Sequence, residues 1–193
     1  IIEYVKKSRG PFGGLTFYYQ VIIYVILSDF FLYWLHRAFH HPILWKYHSI
    51  HHSEKQVEWT TAYRFHPINI ALSPVLVDMT MLHLGILPEV LLFLRPLDAA
   101  YSFYVHSNLK SQLGVLKYIA ATPVFHRWHH SLNEEAKSKN FSATFSLWDI
   151  IFGTYYMPEK IYPSNYGVSD ELYPSGFFQQ LMYPFRKKND LLS

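Results

Sequence analysis

Cysteine is absent from the 193 residues. Its absence excludes disulfides, thiolate metal ligands and a cysteine nucleophile, and leaves the compartment open. Long Lys/Arg runs are also missing, and the net charge is only +3 with neutral histidines. Nucleic acid is therefore not expected as the main partner. No low-complexity segment, flavin motif or haem motif appears, so a source of electrons, if one is needed, lies outside this sequence. The chain opens on Ile1 rather than Met, which leaves room for a leader or a further span upstream. The length suits one domain over 1–193 better than two.

Hydrophobic residues make up 50% of the chain and aromatics 19%, yet mean hydropathy is close to zero. The apolar residues must therefore be gathered in blocks. Residues 1–14 are basic and Gly-rich (Lys6, Lys7, Arg9, Gly10, Gly13, Gly14) and read as an interfacial lead-in. Residues 15–35 are an apolar run with one charge, Asp29. As a helix, that run crosses a hydrocarbon core of about 30 Å. Its tyrosines and Trp34 suit the membrane interface. The competing reading is a buried helix of a soluble protein. Two further apolar stretches, 68–87 and 89–105, meet at Gly85–Pro88 and suggest a helical hairpin. Asp78, Arg95 and Asp98 make that hairpin imperfect as lipid-facing helix. It would return the chain to the side it left, bringing His66 and His106 to one face. The tail 158–193 carries Pro163, Pro174 and Pro184 and reads as a cap with little long helix.

The sequence is rich in histidine. Twelve are present, and most fall into three groups. His36 and His40, with His41 beside them, follow the first apolar run. His48, His51 and His52 form the second group, and His126, His129 and His130 repeat its spacing. Residues three and four apart share a helical face. Each group can therefore aim its imidazoles at one small volume. The eight nitrogens of His36, His40, His48, His51, His52, His126, His129 and His130 suffice for two metal ions. His106, and His66 beside it, are the expected completion of the set through the hairpin. His40 and His41 compete for one position, and His83, inside the hairpin, reads as an ordinary surface or core residue rather than a ligand. A structural zinc needs four ligands and a hydrolytic zinc three. The H-E-x-x-H pattern and the Glu-x-x-His pair of carboxylate-bridged di-iron bundles are both absent. Imidazole alone does not choose among Fe, Zn, Cu and Ni. Asp29, Asn108 and Asp149 are candidates to accept from ring N–H groups and so fix the imidazole tautomers. Arg37 and Arg127, each following a group histidine, are candidates for a phosphate or carboxylate.

The order of these blocks resembles the fatty acid hydroxylase/sterol desaturase superfamily over about residues 28–157. Thr61-Ala-Tyr-Arg64-Phe-His66-Pro67 and Asn140-Phe-Ser, with Trp148-Asp149 and Phe152-Gly153-Thr154-Tyr155, extend the match. The tail Phe177–Phe185 is similar to bacterial sterol-desaturase-like and alkylglycerol-monooxygenase-like members. The resemblance implies an all-α, integral-membrane fold: one span, a helical hairpin, and a His-rich helical cap (36–66 and 106–157) at the membrane face. It implies two non-haem iron ions held by the histidines above, with zinc able to stand in. It also implies O2 as co-substrate, two electrons from a cytochrome b5-like, ferredoxin-like or reductase donor, and a site on the cytoplasmic side. The reaction would be hydroxylation or desaturation of a sterol, fatty acyl or ether lipid. Which lipid, which outcome, which donor and which oligomeric state stay open. Two other readings compete. A bis-histidine haem electron carrier needs only two or four histidines and leaves the doublets unexplained. A polyhistidine metal-binding or transport protein expects its ligands near mid-membrane.

Overall fold

The structure is a computed structural model and describes residues 10–170 and 173–186. The lead-in residues Lys6, Lys7 and Arg9, and the parts of the 158–193 cap at 171–172 and 187–193, lie outside the described residues. Among the described residues the architecture is all-helical and contains no strand, only an isolated bridge between Ser131 and Tyr166.

Helix α1 is Phe17–Phe39 and α2 is Pro42–His52. A 3-10 turn at Trp59–Tyr63 leads to α3, Pro67–Ser73. A π-helical turn at Pro74–Asp78 joins α3 to α4, Met79–His83. Helix α5 is Pro88–His106, and α6 is Pro123–His129. Two short helices complete the set, α7 at Leu147–Ile151 and α8 at Phe177–Met182. Proline opens α2, α3, α5 and α6 at the first turn. There its fixed φ is pre-organised and its missing N–H has no partner to lose. Among the described residues one helix, α1, is long and apolar enough to cross a membrane. It runs to Phe39, so His36 lies on its last turn.

The burial of α1 is inside out. Gln20, Tyr24, Ser28, Asp29 and Tyr33 face the protein. Tyr18 and Ile22, by contrast, are 79% and 55% exposed. A water-soluble helix hides its apolar stripe; a helix in lipid hides its polar groups. Gln20, Tyr24, Asp29 and Tyr33 on this inner face all have hydrogen-bond partners. Gln20 donates to the Phe12 and Leu15 carbonyls and accepts from Leu87 N–H. Tyr24 donates to Asp78, which is also ion-paired with Arg95. The charges that made the second and third apolar stretches look imperfect are thus in part paired with each other.

Residues 10–13, the described end of the lead-in, dock on the turn between α4 and α5. Gly85 has φ of +92°, and a Cβ there would lie 2.6 Å from Gly13 N. A Cβ on Gly10 would lie 2.3 Å from the His83 carbonyl oxygen. Only glycine allows these two backbones to approach so closely. Two apolar clusters result. One gathers Tyr24, Met81, Ile86, Val90 and Leu94 between α1, α4 and α5. The other gathers Val105, Val124, Phe125, Trp128 and Met157 around α6. The histidine cap sits beside the second.

Candidate metal centre

Nine imidazoles converge into two groups. His36, His40, His48, His52 and His129 form the first; His51, His106, His126 and His130 form the second. Within each group one ring nitrogen per residue lies within 4.8 Å of the others. Each H-x-x-H-H block is therefore divided rather than aimed at one point. His48 and His52, four apart, turn to the first group while His51 turns to the second. In α6 the division is reversed: His126 and His130 go to the second group, and His129 to the first. Alpha-helical rotation of 100° per residue produces this split.

The local sequence sets each ring. His36 lies on the last turn of α1 and His40 is its C-cap. His41 is exposed and caps α2 through Ile43 N–H, leaving His40 for the centre. Helix α5 ends on His106. Thr122 caps α6 by accepting from Phe125 N–H, and all of α6 is buried.

Hydrogen bonds at Nδ1 then decide which nitrogen points inward. His36 Nδ1 lies 2.7 Å from the Phe141 carbonyl oxygen, His129 Nδ1 2.8 Å from that of Lys139, and His106 Nδ1 2.8 Å from that of Ser102. His51 Nδ1 lies 3.3 Å from the Arg64 carbonyl and His48 Nδ1 2.8 Å from Asn69 Oδ1. A carbonyl oxygen only accepts, so Nδ1 carries the proton and Nε2 presents a lone pair. His36 Nε2 and His48 Nε2 are nevertheless 3.1 Å apart, and His51 Nε2 and His106 Nε2 3.3 Å. Two lone pairs cannot hydrogen-bond to each other. The arrangement is favourable only with a cation between them.

The spacing fits such an ion. Imidazole nitrogens about 2.0–2.1 Å from one metal, at tetrahedral to octahedral angles, lie roughly 2.8–3.4 Å apart. The Nε2 pairs His126–His106, His130–His126 and His40–His129 are at 2.9, 3.1 and 3.2 Å. His52 Nε2 is buried with no hydrogen-bond partner, as a ligand atom would be. The donor set is neutral nitrogen throughout, which suits Fe, Zn, Cu or Ni. Burial, with the neighbouring imidazoles adding to it, holds His48, His51, His52, His126, His129 and His130 well below the usual imidazole range. They are neutral at pH 7, the form that binds metal.

The structure does not bring His66 to either group. It caps α3, its Nδ1 accepting from Ile68 N–H, and its Nε2 lies 3.1 Å from the Leu181 carbonyl. Both of its nitrogens are thus occupied, Nδ1 in capping α3 and Nε2 in anchoring the tail. Asp29 and Asp149 touch no imidazole among the described residues. Asp29 accepts from Thr144 N–H, Phe145 N–H and Trp148 Nε1–H. Asp149 accepts from Phe141 N–H, Ser142 N–H and the Thr154 hydroxyl. Both carboxylates hold the loop at 141–145, and Asp149 reaches His36 through the Phe141 peptide. Asn108 is exposed and bonds no ring among the described residues. Arg127 is buried with its Nε unpartnered. Sequence reasoning missed Asn69, whose only signal is its place in the first turn of α3 after Pro67. It also missed the carbonyls, which no side-chain pattern reveals.

The profile of the family described as fatty acid hydroxylase matches residues 21–154, a range that contains all nine converging histidines. An ornithine lipid hydroxylase of Rhizobium tropici is 30% identical over 171 residues, covering 88% of this chain and 51% of that protein. The alkylglycerol monooxygenase of Homo sapiens is 35% identical over 128 residues, covering 66% and 28%. A Delta(7)-sterol 5(6)-desaturase of Gibberella zeae is 30% identical over 164 residues, covering 81% and 43%. The chain spans about half the length of these relatives or less. No solved structure matches it.

Proposed function

The chain belongs to the fatty acid hydroxylase family, and from that premise we propose that it is a membrane-bound oxygenase acting on a C–H bond of a lipid. The nine imidazoles hold two metal ions, one per group, and the metal is iron. Iron bound there supplies the activation of O2, which no side chain of this composition can supply. Hydroxylation consumes one O2, two electrons and two protons. One oxygen atom enters the C–H bond and the other leaves as water. Desaturation removes two hydrogens from the substrate instead, and both oxygen atoms leave as water. The electrons come from an external cytochrome b5-like, ferredoxin-like or reductase partner, and the cap faces the cytoplasm.

The protein's own part is positioning and exclusion. Carbonyls and Asn69 hold five rings in the tautomer that turns Nε2 inward. The second group is fully buried, which keeps water from it. In the first group His36 and His40 are partly exposed, so substrate would approach the centre from their side. The observation that carries the reading is the opposed pair of Nε2 lone pairs at His36 and His48.

Lipid profiling of cells expressing the wild type or His129→Ala tests it. An oxidised or newly unsaturated lipid is expected with the wild type and at background level with the variant. Equal product in both would remove the catalytic assignment.

A further inference from the structure

On α1, Ile22, Ile26, Trp34 and Ala38 are exposed and form a stripe that winds slowly around the helix, while Phe30 between them packs on Trp148 and Phe152. Ile22 is 55% exposed, Ile26 44% and Trp34 41%. From Ile22 to Arg37 the helix rises about 22 Å, the scale of one lipid leaflet tail. At the top of the stripe, where α1 passes into α2, lies a cavity of about 580 Å³. It is lined by Trp34, Arg37, Ala38, His41, Ile43 and Leu44. Its wall is mostly apolar, and its one permanent charge is Arg37.

Arg37 is placed to hold an anion. Its guanidinium lies 5.4 Å from the Trp34 ring centroid and 6.0 Å from that of Phe141. Cation–π contact of this kind holds the guanidinium beside the two rings and uses none of its N–H donors. One N–H donates to Tyr33 Oη at 3.2 Å. No carboxylate pairs with it among the described residues, so most of its five donors remain for a ligand. The Tyr33 hydroxyl continues inward, 2.8 Å from Thr154 Oγ1. Thr154 donates to Asp149, and Asp149 accepts from Phe141 N–H, whose carbonyl accepts from His36. The guanidinium is thereby tied to the same buried network that orients one of the converging rings.

We propose that this cavity is a binding site for an anionic lipid, with its phosphate on Arg37 and its acyl chain along the Ile22–Ile26–Trp34 stripe. The proposal rests on the reading of α1 as a membrane span and not on the oxygenase chemistry. Basic side chains at the interface capture acidic head groups, and a guanidinium with free N–H donors favours phosphate over a neutral head group.

Tryptophan quenching by brominated lipids tests it in the full chain with its metal bound, in bilayers of phosphatidylcholine. The Trp34 signal is isolated as the difference between the wild type and Trp34→Phe. Brominated phosphatidylglycerol is expected to quench Trp34 at about fivefold lower mole fraction than brominated phosphatidylcholine. Arg37→Gln should abolish that preference and Arg37→Lys should keep part of it. Circular dichroism confirms that each variant is folded. Equal quenching by the two lipids in the wild type, or a preference that survives in Arg37→Gln, would overturn the site. Millimolar inorganic phosphate is expected to leave the preference in place. Its complete loss to free phosphate would assign the cavity to a soluble anion instead. None of these outcomes depends on product formation, so an inactive protein can still pass and an active one can still fail.

Discussion

At the scale of single residues, the centre depends on which nitrogen of each ring carries a proton. His48 depends on Asn69, the one side chain among the described residues that accepts from a converging imidazole. Removing such a partner typically lowers metal affinity 10–100-fold. Asn69→Leu is therefore expected to weaken one of two metal sites by about that factor while leaving the other intact, and Asn69→Asp to retain both. Chelator competition followed by metal analysis reads both variants. The helical spacing of His48, His51 and His52 was legible as a shared purpose in the sequence. Its division between two groups was not, because a spacing rule says which residues are near and not where the partner helix lies. His40 and His41 could not be separated in the sequence either. The kink between α1 and α2 decides between them, since His41 becomes the cap. His66 shows the limit of topology: the apolar stretch after it places it at the right level, but the tail claims its ring through Leu181.

At the scale of elements, α1 was legible because its apolar run is long and carries a single charge. The sequence read it as 15–35, whereas the helix continues through His36 to Phe39. The apolar run ends at Leu35, but the helix continues because its last turn carries His36, whose ring joins the converging imidazoles of the cap. The 68–87 stretch was harder. It contains a π-helical turn at Pro74–Asp78 that breaks the regular ladder, and local pattern does not report such a turn. The inside-out burial of α1 gives a discriminating variant. Ile26 is 44% exposed. Ile26→Lys on the surface of a soluble helix would change little, within about 0.5 kcal/mol. In a span it should raise the apparent insertion free energy by about 3 kcal/mol. A glycosylation-based insertion assay measures the difference, and near-normal insertion of the lysine variant would argue for a soluble helix.

At the scale of the whole molecule, the cap concentrates neutral imidazoles where water does not reach. His48, His51, His52, His126, His129 and His130 all resist protonation in the folded state, chiefly through burial. The unfolded chain takes up protons as pH falls through about 6.5, and the folded chain does not until much lower. Folding is thus unaffected by these groups above that value and loses stability progressively below it. The metal-free protein is expected to melt at nearly constant temperature from pH 8 to 7 and at falling temperature from pH 6.5 to 5. Thermal unfolding in detergent checks this, and a transition that rises on acidification would have the wrong sign. A bound metal should hold the transition up further into acid, since metal binds only the native arrangement.

The most direct measurement is the metal content of the folded chain after loading with iron under anaerobic conditions and removal of loosely bound ions. Two irons per chain are expected in the wild type. His48→Ala should lower the count toward one by emptying the His36 group, and His106→Ala should do the same through the other group. Fewer than about one iron per wild-type chain, or a count unmoved by both substitutions, would contradict a centre built from these nine rings.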